Sequence, residues 1–203
     1  MTIFLVADTN TEMIKCSVGS IRMFADVDNL EVILIDTGAQ PDLREWAANQ
    51  EDITYVYMDE DGLTYGQTIK HVWKELEIED DILLMSGNFC LTPMCLSRLN
   101  RSLYGNEQIG VAGPVSNGLP GYQHSSAGNN YEEAVSMVQE METINCREVM
   151  GLFYGAMLIK KEVFQQLVFL DENLISRRAI CEDFSLKVRK GGWKIKVCED
   201  ALF

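Results

Sequence analysis

Alternating strand and helix signals predict an α/β protein, a three-layer α/β/α sandwich with a mainly parallel central sheet. Short runs of β-branched and apolar residues, typical of buried strands, recur through the first half of the chain. Between them lie stripes of apolar residues spaced three or four apart, as on one face of a helix. The connections are short, which favours parallel strands joined by helices that cover both faces of the sheet.

Residues 1–113 contain the clearest signals. Strands are predicted at Ile3–Ala7, 31–36, Ile53–Met58, Asp81–Met85 and Ile109–Ala112. Helices are predicted from the apolar stripes at Ile14–Ile21, Leu43–Ala47, Ile69–Leu76 and Leu96–Leu103. Pro41 suits the first turn of the second helix, and Thr92 followed by Pro93 predicts the start of the fourth.

The second half of the chain, residues 114–203, is expected to complete the same domain. Glycine, proline and asparagine predict loops over residues 114–130. The elements expected after them are a helix at Tyr131–Met141, a strand at Leu152–Ile159, helices at Glu162–Leu167 and Asp183–Lys190, and a strand at Lys194–Cys198.

Charge and composition exclude several classes of function. The 203 residues include 17 Lys and Arg against 31 Asp and Glu, a formal net charge of −14. Such an acidic chain is poorly suited to bind nucleic acid or an anionic membrane. No apolar run approaches the roughly 20 residues of a membrane span, and the N-terminus lacks the basic region of a signal peptide. Six cysteines without a Cys-x-x-Cys pair predict a cytoplasmic protein with reduced, mostly buried thiols and no zinc site.

Residues 155–192 carry the most informative pattern. It comprises a glycine-led strand with a basic helix, then Asp171-Glu172, then Glu182-Asp183 in register with Leu186 and Arg189. This pattern resembles the family 2 glycosyltransferases. The resemblance covers nearly the whole chain, since EVILIDTGAQ and Gly110–Pro114 are similar to further family segments. It implies a GT-A fold and transfer of a sugar, with inversion, from a nucleotide diphosphate to a saccharide or other hydroxyl acceptor, as in polysaccharide biosynthesis.

The resemblance assigns the catalytic base to Asp183, with Glu182 beside it. A sugar acceptor must lose its hydroxyl proton during transfer, and a carboxylate near the strand ends can take it. From the residues alone, a second interpretation stays open: the two carboxylates simply favour a helix N-terminus, where negative charge is stabilising.

The resemblance also implies a donor site of the UDP type in residues 1–113, with residues 114–203 on the acceptor side. The nucleotide-binding residues implied are Ala7, Asp8, Thr9, Asp36, Asp61 and Gly62. Asp36 would hydrogen-bond the nucleobase. The alternative is that Asp36 only caps the turn at Gly38.

The chain departs from the family at the metal site. The family places an Asp-x-Asp after the fourth strand to hold a divalent metal on the diphosphate, and this chain has Ser86-Gly87-Asn88 there. Asn88 offers Mg²⁺ or Mn²⁺ only a weak, neutral ligand. Arg177 and Arg178 could neutralise the diphosphate instead, since guanidinium groups bind phosphate oxygens in pairs. The alternative is that both are solvated loop arginines.

Two other functions stay open. A chain without its metal site could be a sugar-nucleotide or glycan binding module, or a partner subunit of a larger glycosyltransferase. A nucleotidyltransferase is disfavoured, because the sequence DTNTEM after the first strand supplies neither a glycine-rich phosphate loop nor a basic residue. A homodimer is also left open.

Overall fold

The computed structural model describes residues 1–7, 10–38, 41–58, 63–126, 130–141, 146–153, 155–166, 170–171 and 173–203. The strands in these ranges are β1 Thr2–Ala7, β2 Glu31–Asp36, β3 Thr54–Tyr57, β4 Ile82–Ser86, β5 Ile109–Val115, β6 Cys146–Val149, β7 Ala156–Ile159 and β8 Lys194–Leu202. The helices are α1 Thr11–Phe24, α2 Pro41–Ala47, α3 Tyr65–Glu75, α4 Cys95–Tyr104, α5 Tyr131–Glu140, α6 Lys161–Gln166 and α7 Arg177–Lys190. In the described part of the chain, no helix has both the length and the apolar character needed to cross a membrane.

The strands form one sheet in the order β3-β2-β1-β4-β7-β5-β8-β6. Strands β1 to β5 and β8 run in one direction, whereas β6 and β7 are antiparallel to their neighbours. Two apolar clusters cover the two faces of the sheet. One contains α1 and α4 through residues such as Ile14 and Leu99, and the other contains α3 and α7 through Ile69 and Phe184. The predicted three-layer α/β/α sandwich is therefore confirmed.

The structure corrects the predicted start of α4. Thr92 does not cap this helix, because its hydroxyl donates to the Leu202 carbonyl 2.6 Å away. The helix begins instead at Cys95, after Met94 in the left-handed region at φ 62°. Thr92 thus ties the segment after β4 to the end of β8.

A close contact at Gly155 fixes the start of β7 against the end of β4. The Gly155 carbonyl accepts a 3.0 Å hydrogen bond from the Ser86 N–H. A Cβ added at Gly155 would collide with Leu119 and would lie 2.7 Å from the Phe89 ring. A residue larger than glycine would have to displace the Leu119 and Phe89 side chains.

We expect Gly155→Ala to lower the free energy of unfolding by about 1–3 kcal/mol, the usual cost of overpacking a core. Gly19→Ala is the control, because Gly19 lies within α1 and an added Cβ meets no atom within 4 Å. That change should stabilise by about 0.5–1 kcal/mol through helix propensity. Urea unfolding of both variants measures the difference, and equal stability of the two would contradict the tight contact.

Candidate functional site

Three predicted site residues lie at the carboxyl ends of neighbouring parallel strands. In the strand register Ala7 pairs with Asp36, and Val6 pairs with Ser86. Asn88 follows two residues after Ser86. The carboxyl edge of a parallel sheet is where α/β proteins bind ligands. Four further predicted residues, Asp8, Thr9, Asp61 and Gly62, lie outside the described residues.

The carboxylate of Asp36 is buried, with 1% of the residue exposed. One oxygen accepts a 2.7 Å hydrogen bond from the Tyr55 hydroxyl, and the other accepts a 2.8 Å bond from the Gly38 N–H. Gly38 has φ +84°, a conformation that suits glycine. Burial and then the bond to Asp36 raise the pKa of the Tyr55 phenol. Asp36 therefore does cap the Gly38 turn, but a carboxylate has further acceptor positions on both oxygens.

The segment after β4 is a buried turn with one exposed side chain. The Ser17 hydroxyl of α1 donates a hydrogen bond shared by two carbonyl oxygens, that of Gly87 at 2.8 Å and that of Phe89 at 2.6 Å. Ser86 and Gly87 are buried, whereas Asn88 is exposed. The turn is held by α1, so Asn88 projects from a fixed position.

The described residues do not fit the carboxylate metal site that the resemblance implies. The residues that follow β4 are Gly87, Asn88, Phe89 and Cys90, and none of them is acidic. Across the described ranges, no group of three or more His, Cys, Asp or Glu side chains is placed to hold a metal ion. Mg²⁺ and Mn²⁺ favour carboxylate oxygens, which this turn does not offer.

Helix α7 begins six residues earlier than predicted, and this changes the setting of four candidate residues. It starts at Arg177, so Asp183 does not open a helix and neither Glu182 nor Asp183 acts on a helix N-terminus. Arg177 and Arg178 lie in its first turn, so they are not loop arginines. Apolar residues four apart explain the longer helix: Ile180, Phe184 and Val188 are all buried on one face.

Ion pairs along α7 engage both candidate catalytic carboxylates. The Arg178 Nε lies 2.9 Å from the Glu182 Oε1, and the Lys187 Nζ lies 2.6 Å from the Asp183 Oδ2. Each pair spans four residues, one turn of the helix, and such surface pairs contribute about 0.3–0.5 kcal/mol. The side chain of Asp183 is about one-third exposed, whereas its Oδ2, which faces Lys187, is buried.

Cation–π contacts connect the first turn of α7 to both sides of the site. The Arg177 guanidinium lies 5.1 Å from the centre of the Tyr65 ring, at the start of α3. The Arg178 guanidinium lies 5.8 Å from the Phe153 ring, two residues before Gly155 and its bond to Ser86. Arg177 therefore contacts the start of α3, and Arg178 contacts the segment that precedes β7.

Gly66, in the first turn of α3, contacts the segment before α7 closely. A Cβ added at Gly66 would lie 3.1 Å from the Asp171 carbonyl oxygen and 3.2 Å from that of Leu170. Asp171 itself accepts from the Asn173 N–H at 2.9 Å, and this bond lowers the pKa of its carboxyl. Its neighbour in the sequence pattern, Glu172, lies outside the described residues. Asp171 therefore shapes a turn in this structure.

Sequence reasoning missed a groove beside Asn88. It has a volume of about 230 Å³, and its polar and aromatic lining includes Ser116, Asn117, Asn130 and Tyr131. The Asn130 side chain caps α5 by accepting from the Glu133 N–H, and the Tyr131 hydroxyl donates to the Leu91 carbonyl. In the sequence Asn130 belongs to a predicted loop, and only the fold brings it next to Asn88.

A second groove, of about 470 Å³, lies at the amino end of β8, on the side of the sheet opposite to the carboxyl strand ends. Arg189, Trp193 and Lys194 line it together with Tyr122 and Met150. Arg189 belongs to the sequence pattern that contains Glu182 and Asp183, but the structure places it at the far end of α7. It is therefore not brought together with the strand-end residues.

Comparison with known proteins gives a match in structure and none in sequence. No protein-family model matches the chain, and no curated protein matches it. Among solved structures, the mannosyltransferase PcManGT from Pyrobaculum calidifontis, in complex with GDP-Man and Mn²⁺, is similar with a TM-score of 0.73 and 12% identity over 99% of this chain. GalNAc-T7 with UDP, GalNAc and Mn²⁺ is similar with a TM-score of 0.76, also at 12% identity over 99% of this chain.

This chain spans about half the length of those two structures, 55% of the first and 42% of the second. Its strand order, its helical layers and these two similarities agree on one architecture. At this identity the similarity concerns the fold alone, and the chain has the GT-A fold of the nucleotide-sugar transferases.

Proposed function

We propose that this chain transfers a sugar from a nucleoside diphosphate donor to a hydroxyl acceptor, with inversion at the sugar carbon. The observation that carries the proposal is the position of α7 relative to the strand ends. Ala7, Asp36 and Ser86 lie at the carboxyl ends of neighbouring strands. Arg178 contacts the Phe153 ring, two residues before Gly155, whose carbonyl accepts a hydrogen bond from the Ser86 N–H. In the proposal, the donor lies at these strand ends and Asp183 of the same helix takes the proton of the acceptor.

The donor nucleotide is proposed to lie across the ends of β1, β2 and β4, in the half formed by residues 1–113. Asp36 accepts a hydrogen bond from a uridine-type base with the acceptor positions that Tyr55 and Gly38 leave open. The loops containing Asp8, Thr9, Asp61 and Gly62 complete this site in the proposal. Residues 114–203 then supply the acceptor side, including the groove beside Asn88.

We expect Asp36→Ala to weaken UDP binding by about 1–3 kcal/mol, the scale of a hydrogen bond to a buried charged group. Tyr55→Phe is the control for structural damage, because it removes a partner of Asp36 and leaves the carboxylate in place. It should retain most of the affinity. Isothermal titration calorimetry measures both, and equal UDP affinity of Asp36→Ala and the parent would show that Asp36 only caps its turn.

The proposed reaction is a single displacement. The acceptor oxygen forms a bond to the anomeric carbon as Asp183 takes its proton, and the bond from that carbon to the diphosphate breaks with its electron pair going to the diphosphate oxygen. Arg177 and Arg178 stabilise the charge that grows on the leaving group. Positive charge from α7 thus takes the place of the carboxylate-bound metal that the turn after β4 does not fit.

A second candidate function is a sugar-nucleotide or glycan binding module without catalysis. The observation that favours it is that Glu182 and Asp183 each already have a cation 2.9 Å and 2.6 Å away. A carboxylate held by its own helix neighbour is less free to accept a proton. In this case the chain binds a nucleotide or glycan for a partner subunit.

Thermal unfolding with UDP, GDP and dTDP, each with and without Mn²⁺, tests the proposal. A ligand that binds only the folded chain stabilises it by about 2.7 kcal/mol at 100 times its Kd, and this raises the midpoint temperature of unfolding. We expect UDP to raise the midpoint in EDTA, and a UDP-sugar with a saccharide acceptor to be consumed. Binding without consumption of the sugar donor favours the binding module, and no shift with any nucleotide contradicts both sugar transfer and sugar-nucleotide binding, which leaves only a glycan-binding module.

A further inference from the structure

Two cysteines lie directly opposite each other on neighbouring antiparallel strands. Cys146 begins β6, and in the strand register its partner is Cys198 of β8. Directly opposed residues of antiparallel strands have Cα atoms about 4.5–5.5 Å apart, which is within the range that a disulfide spans. Both side chains contribute to the apolar cluster on the α1 and α4 face of the sheet, so they lie on the same side.

The two thiols differ in exposure. Cys198 is completely buried, whereas Cys146 is half-buried. A small oxidant from solvent can therefore reach Cys146 first. Cys198 needs no access of its own, because its reaction partner would be the side chain across the strand pair.

The surroundings favour a thiolate at Cys146. A hydrogen bond from the Cys198 thiol lowers the pKa of Cys146 to about 6, with smaller contributions from the Ser102 hydroxyl of α4 and from Lys196. Burial and the charge of Asp200 act in the opposite direction. The same thiol–thiol hydrogen bond and burial raise the pKa of Cys198, which therefore keeps its proton.

The other cysteines lack this combination. Burial raises the pKa of the Cys95 thiol, and it raises that of Cys181 to about 12. Burial also raises the pKa of Cys90, near the candidate site. Cys16, on α1, is the exposed thiol among the six. It therefore serves as the natural comparison for a reaction that depends on accessibility alone.

We propose that Cys146 and Cys198 form a peroxide-sensitive dithiol, a modification site separate from the sugar-transfer site. The Cys146 thiolate attacks hydrogen peroxide, an S–O bond forms as the O–O bond breaks, and hydroxide leaves. The Cys198 sulfur then attacks the sulfenic acid, and water leaves as the disulfide forms. The two cysteines are oxidised and the peroxide is reduced. The crosslink joins the edge strand β6 to β8, whose last residues line the groove beside Asn88.

Peroxide treatment of the reduced chain, followed by intact-mass and peptide analysis, tests the site. We expect a reversible Cys146–Cys198 disulfide in the parent and in the control Cys16→Ser at equal rates. Cys198→Ser should stop at a sulfenic acid on Cys146 that dimedone traps, and Cys146→Ser should slow oxidation at least tenfold. Oxidation of Cys146→Ser at the parent rate, or a disulfide between other cysteines, would overturn the proposal.

The pH profile gives a second readout that does not depend on the variants. The rate should reach its plateau at a lower pH than that of an ordinary thiol, because the Cys198 thiol opposite lowers the pKa of Cys146. A thiol with an ordinary pKa of about 8.5 would instead react about eightfold faster at pH 8 than at pH 7. Such a continued rise would overturn the assignment of Cys146 as the reactive thiol.

Discussion

Replacing Asp183 with Asn is expected to lower the rate of sugar transfer by about 10²–10⁴-fold, the usual effect of removing a general base. Asparagine preserves the shape of the side chain but cannot take the proton of the acceptor hydroxyl. Binding of the donor nucleotide should change little, because the base acts on the acceptor. Steady-state transfer kinetics with a UDP-sugar, together with UDP calorimetry, separate the two effects.

Two further variants of α7 control for this result. Lys187→Met breaks the 2.6 Å ion pair with Asp183 and keeps the carboxylate, so it should retain transfer if Asp183 is the base. Glu182→Gln breaks the pair with Arg178 and should have a smaller effect than Asp183→Asn. A loss in Lys187→Met as large as in Asp183→Asn would indicate that the ion pair matters for structure, not the carboxylate for catalysis.

The double variant Arg177→Ala, Arg178→Ala is expected to lower transfer by about 10²–10³-fold, the scale of losing donors that stabilise a developing negative charge. In the parent, transfer should persist in EDTA, because the turn at Ser86-Gly87-Asn88 does not fit a carboxylate-bound metal. Arg189→Ala is the matched control, since Arg189 lies on the same helix but lines the groove at the opposite edge.

Three outcomes would decide against this role for the arginines. If the double variant transfers sugar at the parent rate, the contacts of Arg177 and Arg178 with Tyr65, Phe153 and Glu182 are structural. If Arg189→Ala is equally impaired, the effect comes from the stability of α7. If EDTA abolishes transfer and Mn²⁺ restores it, the metal site has been misplaced.

The sequence was sufficient for the parallel part of the fold. Buried strands such as Thr2–Ala7 and Glu31–Asp36 are almost continuous apolar runs, which parallel sheets covered on both faces require. The antiparallel strands were harder. Cys146–Val149 lies at the sheet edge with two exposed residues, so it has no apolar run, and it was not predicted. The predicted strand Leu152–Ile159 is shorter, because Leu152 and Phe153 bond to Ser185 and Gln123 and not to a strand.

The candidate site was predictable in part. Strand-end residues such as Asp36 and Ser86 follow from topology, since parallel strands end at one edge. The start of α7 was predicted wrongly, because Glu182-Asp183 indicated a helix N-terminus and the earlier Arg177-Arg178 indicated a loop. The buried stripe Ile180–Val188 was the signal for the longer helix. The grooves depend on contacts between distant segments, which local patterns do not contain.

A crystal structure of the UDP complex grown in EDTA tests the central claim most directly, that a nucleotide binds at the strand ends without a carboxylate-bound metal. We predict the uracil beside Asp36, and the diphosphate between the Ser86–Asn88 turn and the first turn of α7, near Arg177 and Arg178. UDP bound instead in the groove of Tyr122, Arg189 and Trp193 at the opposite edge, or density for UDP only when Mn²⁺ is present, would contradict the account.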